Sequence, residues 1–339
     1  MNMASLRGKV LASLLLGLVV VLALGLYADL AELLSVLRGF EFGYVPSIIG
    51  LTLINYALRF LKWQWYLRVI GITGLSVRRS ALIFLSGFSM VMTPGKVGEY
   101  LKCYWVRQAT GTPLSVLLPV VFAERVNDGL AMFVLAASGI VAYGYGWGTL
   151  VGIVVAVVVA LGLAQNERLA HRIFAILRQV RFVANRVSHL ETVYDSARRL
   201  FAWRTLAWAV PIGVVSWGAE GIAFYLVLRG LGIDGGWNLA VESTSIFALS
   251  SIIGALSMLP GGLAVAEGSI TGLLQATGVV GNAPTAAAAT LLIRFATLWF
   301  GVLVGVLVLF PAIGRLSRAE FLAAAEPVSD RAALGGDRV

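Results

Sequence analysis

"SMVMTPGKVGEYLKCYW", residues 89–105, sets a Pro-Gly pair in an apolar neighbourhood and follows it at once with Lys96, Glu99 and Lys102. In a soluble chain such a stretch would be an ordinary loop entering a helix. Here the surroundings differ. The chain has 339 residues, 59% hydrophobic and 13% charged, with a mean hydropathy of +0.89. Soluble domains carry about 25% charged residues. Apolar windows of about 18 residues or more recur from end to end, which reads as an all-α polytopic membrane protein. A β-barrel would show alternating segments of about ten residues, and none occur. The Pro-Gly break therefore interrupts a membrane segment.

Working outward, the apolar runs predict five full spans, at about 10–28, 45–67, 113–142, 205–229 and 284–311, and a shorter sixth at 148–164. The first run follows Arg7 and Lys9 like a signal peptide, but its length and the spans behind it favour a retained helix. Two further runs, 80–109 and 240–280, are apolar on both sides of a Pro-Gly break, and each is expected to form a re-entrant hairpin of two half-helices. Basic residues gather before the first span, after the second, in 165–204 and after the last. The linker 165–204 alone has eight arginines against three acids. The positive-inside rule then places both termini and this linker in the cytoplasm.

The halves echo each other. "YLRVIGI" (66–72) resembles "VLRGLGI" (227–233), and "SMVMTPGKVGE" (89–99) resembles "ALSMLPGGLAVAEG" (255–268). Each half reads span, span, broken hairpin, span, and the orientation starts one half inside and the other outside. This is the pattern of an inverted-topology repeat. The expected organisation is a first membrane repeat over 1–164, the linker over 165–204, a second repeat over 205–311 and a disordered tail over 312–339.

The breaks suggest chemistry. Thr93 suits an N-cap and Pro94 a first helical position. A helix starting at Pro94 and Gly95 would aim free amides and a positive dipole end into the membrane, which favours an anion. Lys96 adds a charge, and Glu99 and Lys102 follow on one flank. The competing reading is a cytoplasmic loop whose lysines only obey positive-inside. In the second half Pro260, Gly261 and Gly262 repeat the break and Glu267 repeats the acid. No lysine follows, so Arg294, in mid-span, is the expected cation. An ionisable residue at that depth is functional by default, although an Arg294–Glu267 strut would explain both. Glu124, Arg125 and Asp128 lie on one helix, and Glu220 sits deep in its span without a local partner. Arg59 and Lys62 are expected to snorkel towards the cytoplasmic edge. The linker has apolar residues at helical spacing and an arginine-rich face, which suits an amphipathic helix on anionic lipid or a stiff connector.

Other chemistries find little support. One cysteine, Cys103, excludes an internal disulfide, and the two histidines, His171 and His189, both fall in the linker, so no metal or other cofactor is expected. The net charge of +9 and pI near 10.0 fit basic loops on anionic lipid better than nucleic acid. The chain has no GxxxxGK[ST], HExxH or GxSxG motif.

Pro94-Gly95-Lys96-x-Gly98-Glu99-x-x-Lys102, Glu124-Arg125-x-x-Asp128, Pro260-Gly261-Gly262 with Glu267, and Arg294 together resemble the lysylphosphatidylglycerol synthase transmembrane-region family, also described as flippase-like membrane proteins. The resemblance covers about 10 to 311. It implies lipid translocation: aminoacylated phosphatidylglycerol in two-domain members, and polyprenyl-phosphate sugars or hopanoid-type lipids in stand-alone ones. The 28 residues from Ala312 to Val339 are too few for an aminoacyltransferase domain, so lipid synthesis is not expected. The expectation is a non-enzymatic translocator in the cell membrane that handles a phosphate headgroup with Lys96, Lys102, Arg125 and Arg294, partnered by membrane lipids. A membrane-embedded enzyme, or a scaffold for lipid-synthesis enzymes, is the alternative.

Overall fold

The computed structural model describes residues 17–20, 22–91, 99–143, 165–179 and 187–309, with residues 148, 151, 152, 155, 159 and 162 between them. Among these every regular element is helical and there is no strand. The helices are α1 (Gly17–Tyr27), α2 (Leu30–Arg38), α3 (Val45–Val69), α4 (Val77–Ser86), α5 (Tyr100–Thr110), α6 (Leu114–Tyr143), α7 (Glu167–Gln179), α8 (Val187–Leu200), α9 (Trp203–Gly230), α10 (Trp237–Leu256), α11 (Val265–Ala276) and α12 (Ala283–Leu309).

Among the described residues, four helical stretches are long and apolar enough to cross a membrane: Phe42–Val69, Trp203–Gly230, Trp237–Leu256 and Ala283–Leu309. A fifth exists if α1 and α2, which meet at 99°, count as one broken span. The bend arises at Asp29, whose carboxylate caps the amides of Ala31 and Glu32 and so starts a new helix. The expected spans at 10–28 and 45–67 had left α2 in the connection between them. The 30 residues of α6 match the expected 113–142 run in length, and they bury Glu124 and Asp128. Most of the expected 148–164 span and the tail over 312–339 lie outside the described residues.

The 240–280 segment differs from two equal half-helices. The 20 residues of α10 rise about 30 Å, enough to cross the hydrocarbon alone. A 3-10 turn at Pro260–Gly262 then leads to the 12-residue α11. The turn is tight: Gly261 and Gly262 both have positive φ, and Gly262 lies against the backbone of Gly254, with 3.2 Å left for any Cβ. In the first half α4 runs into a 3-10 turn at Gly87–Met90 and α5 begins at Tyr100. Residues 92–98, including the expected helix start at Pro94, lie outside the described residues.

The bundle is organised around α3 and α9, which run antiparallel along their lengths: Glu41 N–H donates to Gly230, Asn55 meets Ser216, and Lys62 lies against Gly213. Their C-termini close alike. Gly71 and Gly232 take left-handed conformations, and Ile72 and Ile233 donate back to Leu67 and Leu228. Each is a Schellman ending, which needs glycine at that position. Two apolar cores flank the middle of the pair. One gathers Trp63, Tyr66, Phe84, Val106, Leu117 and Leu200, and the other Ile48, Phe224, Phe247, Ile270, Leu274 and Ile293. Between them α3 and α9 bury polar residues: Thr52, Asn55, Ser216 and Glu220. On α12 four successive alanines, 286–289, are fully buried, small side chains that let helices approach closely.

The basic linker departs from a single amphipathic helix. It forms α7 and α8, tied by Arg178–Glu191 and Arg198–Glu167 ion pairs, and Leu200 at the end of α8 is fully buried in the first core.

Candidate functional site

α3, α5 and α6 bring together charges 66 residues apart in sequence. Lys102 Nζ sits 2.6 Å from Glu124 Oε2, and Lys62 Nζ sits 2.7 Å from Asp128 Oδ1 while donating to Asn127 Oδ1 at 2.9 Å. Arg125 approaches Glu99 and Asp128, both at 3.1 Å, as charge contacts without hydrogen-bond alignment. The cluster holds three bases, Lys62, Lys102 and Arg125, and three acids, Glu99, Glu124 and Asp128. Its charge sums to zero. A lone ion inside a low-dielectric interior costs several kcal/mol, and close pairing offsets that cost. Lys102 also lies 4.8 Å from the ring of Trp63 and 5.4 Å from that of Phe84, which adds cation–π attraction.

The sequence had expected Lys62 to snorkel. The structure corrects this: Lys62 is 1% exposed, because Asp128 and Asn127 reach it from α6 and Gly213 on α9 leaves room for its ammonium. A Cβ on Gly213 would stand 3.0 Å from Asn127 Oδ1 and 3.4 Å from Lys62 Nζ.

The second group is smaller. Arg294 donates from Nε to Glu267 Oε1 at 2.6 Å and from Nη2 to the Gly261 carbonyl at 2.8 Å. This ties α12 to α11 and to the Pro260–Gly262 turn. Glu267 lies in the first turn of α11, where its negative charge complements the helix dipole. That helix starts at Val265, five residues after the proline. Directly after Arg294, α12 opens into a π-helical turn, Phe295–Trp299, and the Thr297 carbonyl accepts from the Tyr56 hydroxyl at 2.7 Å. π-turns inside α-helices are frequent at functional sites.

The structure thus gathers Glu99, Lys102, Glu124, Arg125 and Asp128 in one cluster, and Gly261, Glu267 and Arg294 in another, with Pro260 and Gly262 in the same turn. No ion pair or hydrogen bond among the described residues joins the two. Pro94, Gly95 and Lys96 lie outside the described residues. Lys102, Arg125 and Arg294, each expected to meet a phosphate, are already held by carboxylates.

Between the clusters lies the α3–α9 seam. Asn55 Nδ2 donates to the Ser216 carbonyl at 2.9 Å, and Ser216 Oγ donates to the Asn55 carbonyl at 3.1 Å. One turn from Asn55, Arg59 stacks over Phe88 at 5.3 Å and Trp217 at 5.2 Å with no carboxylate at ion-pair distance among the described residues. One turn from Ser216, Glu220 is 4% exposed and has no ion pair or hydrogen bond among the described residues. Asn55 Oδ1 and Trp217 Nε1 are buried there without partners. Sequence reasoning singled out Glu220 but set Arg59 aside at the membrane edge. The available signal was the polar stripe Thr52, Asn55, Tyr56, Arg59, Lys62 at helical spacing.

The family model for the lysylphosphatidylglycerol synthase TM region matches residues 14–305. The chain belongs to this family. Two UPF0104 membrane proteins of Methanothermobacter thermautotrophicus are 24% and 26% identical to it, over 80% and 86% of this chain and 85% and 92% of theirs. The glycosyltransferase AglD of Haloferax volcanii is 24% identical over 84% of this chain and 51% of its own length. With its long apolar helices, this member of the family is a membrane protein.

Proposed function

We propose that the protein moves a lipid with a phosphate-bearing headgroup between membrane leaflets. The observation that carries this reading is the seam. Among the described residues, the other buried charges are neutralised in pairs while Arg59 and Glu220 meet no counter-ion, and orphaned polar atoms of Asn55 and Trp217 lie beside them. A chain that only needed to fold would do better with apolar residues there. Unpaired ions inside a membrane protein mark a substrate path. Among the described residues of the bundle interior, Arg59 is the cation available to a phosphate. Lys96 remains a second candidate, and the paired cations hold the path's walls together.

An inverted repeat supports the same reading. The Schellman endings at Gly71 and Gly232 are 161 residues apart, as are Asn55 and Ser216, which bond each other reciprocally. Two equivalent positions that bond each other across antiparallel helices lie where a pseudo-two-fold axis crosses them. Glu99–Arg125 and Glu267–Arg294 are matching clasps between a short helix and the long helix after it. Halves inverted about a central site suit alternating access. The cargo reading favours a polyprenyl-phosphate sugar over a plain phospholipid, because one relative is a glycosyltransferase. That relative shares only 51% of its length, so glycosyl transfer itself is not carried over. We place the protein in the cell membrane with both termini cytoplasmic, acting as a transporter rather than an enzyme. Its basic linker would rest on anionic lipid.

Reconstitution tests this directly. Fluorescent phosphatidylglycerol in proteoliposomes, quenched from outside with dithionite, should equilibrate between leaflets with the wild type and not with Arg59→Gln. No movement by wild-type protein of either this lipid or a fluorescent polyprenyl-phosphate sugar would contradict the transport reading. Chemical conversion of the lipid, seen by mass spectrometry, would favour an enzyme.

A further inference from the structure

Positions 59 and 220 are separated by 220 − 59 = 161 residues, the spacing that also relates Asn55 to Ser216. Arg59 and Glu220 are therefore equivalent positions, four residues beyond the crossing point on antiparallel helices. They stand on opposite sides of it, each about 6 Å along its helix axis. One carries a positive charge and the other a negative one. Glu99, Glu124, Asp128 and Glu267 each have a basic nitrogen within 3.1 Å. Glu220, 4% exposed, has none within 4.0 Å among the described residues.

The groups around Glu220 are few. From α3 come Arg59 and the Tyr56 hydroxyl, the latter engaged by Thr297. From α12 comes Arg294, engaged by Glu267 and Gly261. From α6 comes Asp128, engaged by Lys62 and Arg125. From α10 comes Thr244, against Gly221, which does not ionise; Glu242, half-buried, lies earlier on that helix. The 42–44 turn and α8 meet α9 at its ends, near Gly230 and Thr205. Arg59 is thus the nearby charge without a carboxylate of its own. Burial opposes a charge on Glu220, while the positive fields of Arg59 and Arg294 support one. An anion on Arg59 would cancel one of those fields.

We propose that Glu220 is a proton-binding site linked to anion occupancy of Arg59, so that a headgroup phosphate and a proton pass the seam together. This rests on the transport reading above. The charges balance. Before binding, Arg59 and Glu220 sum to zero. Afterwards a phosphate monoanion faces Arg59, and a proton from solvent has formed an O–H bond on the Glu220 carboxylate, so the sum is again zero. Linkage is reciprocal: protons that favour anion binding are in turn favoured by it. Asn55 Oδ1 and Trp217 Nε1 supply an acceptor and a donor beside the two ions.

Two measurements on the full-length protein in liposomes test this. The first follows fluorescent phosphatidylglycerol under an imposed pH gradient. Wild-type protein should carry it from the acid to the neutral side about fivefold faster than in reverse, the lower end of typical coupling. In Glu220→Gln the two rates should become equal, and Glu220→Asp should retain the asymmetry. The second is infrared difference spectroscopy on adding dihexanoylphosphatidic acid. A protonated-carboxyl C=O band should grow in the wild type and not in Glu220→Gln or Arg59→Gln. Lipid movement that ignores the gradient would overturn this inference and leave the transport reading standing. Asymmetry that follows a sodium gradient at constant pH would do the same. If wild-type protein moves no lipid, both readings fall. If either Gln variant fails to move lipid or to fold, the infrared response of wild type and Glu220→Asp decides, and its absence overturns the proton linkage.

Discussion

In the first half α5 and α6 are joined by two ion pairs, Lys102–Glu124 and Glu99–Arg125, whereas in the second α11 and α12 share one among the described residues, Glu267–Arg294, beside a Thr271–Thr290 hydrogen bond. The register between halves is 267 − 99 = 168 on the short helix and 294 − 125 = 169 on the long one. It sets Ile270 opposite Lys102 and Ile293 opposite Glu124, and both isoleucines are buried in one apolar core. The same register sets Thr297 opposite Asp128, and the 161-residue spacing of the central helices sets Ala223 opposite Lys62. Charges in this bundle thus occur as whole pairs or are replaced as whole pairs by uncharged residues. That follows from the cost of a solitary ion away from water, which far exceeds the net value of a pair. The exception is the seam, where Arg59 and Glu220 stand apart, and that exception is where function is read.

The largest expected effect tests the pairing rule. Asp128→Asn leaves the Lys62 ammonium without its carboxylate and should cost about 3–5 kcal/mol, seen as a lower melting midpoint of the purified protein in detergent. Lys62→Met combined with Asp128→Thr should recover most of that loss. A double variant as unstable as the single would mean the charges are not independent pairs.

Next comes the second-half clasp. Arg294→Gln strands the buried Glu267 carboxylate and frees the Gly261 carbonyl, a loss of about 3 kcal/mol in the same melting experiment. Combining Glu267→Gln with Arg294→Gln should restore stability but not lipid equilibration, if Arg294 shapes the path beside Glu220. Full activity in the double variant would make the pair a strut.

Gly213→Ala should cost about 1–3 kcal/mol, because the new methyl presses on the Ala131 methyl and the Asn127 amide. Smallest is the pair Gly71→Ala and Gly232→Ala. Neither Cβ would meet anything within 4 Å, so each cost is the backbone strain of a left-handed alanine, about 1–2 kcal/mol. Equal losses support equivalent helix ends. A marked inequality would weaken the repeat.

Much of this was legible in the sequence because it depends on local chemistry. The glycines at 71 and 232 and the apolar lengths of the Val45–Val69 and Trp203–Gly230 helices follow from short patterns, whereas the Glu267–Arg294 pairing, 27 residues apart, stood in the sequence only as the alternative to a phosphate on Arg294. The burial of Lys62 was not legible. It depends on Asp128, 66 residues away, and on the missing side chain of Gly213. Arg59 stood in a polar stripe that the sequence shows, but its place in the seam depends on Phe88 and Trp217, which come from other elements. In the 240–280 segment the turn falls at the Pro-Gly pair as the sequence suggests, but the helix before it runs 20 residues, longer than a half-helix.

The central claim is that two inverted halves meet at Asn55 and Ser216, and side-specific labelling tests it most directly. Arg78 and Asp234 are exposed, one starting α4 and the other preceding α10, at matching places in the two halves. Single cysteines at these positions, with buried Cys103 replaced by serine, are treated with a membrane-impermeant maleimide on intact cells and on inverted vesicles. The account requires position 78 to label only in inverted vesicles and position 234 only on intact cells. Labelling of both from the same side would contradict the inversion, and with it the placing of Arg59 and Glu220 on opposite sides of one axis.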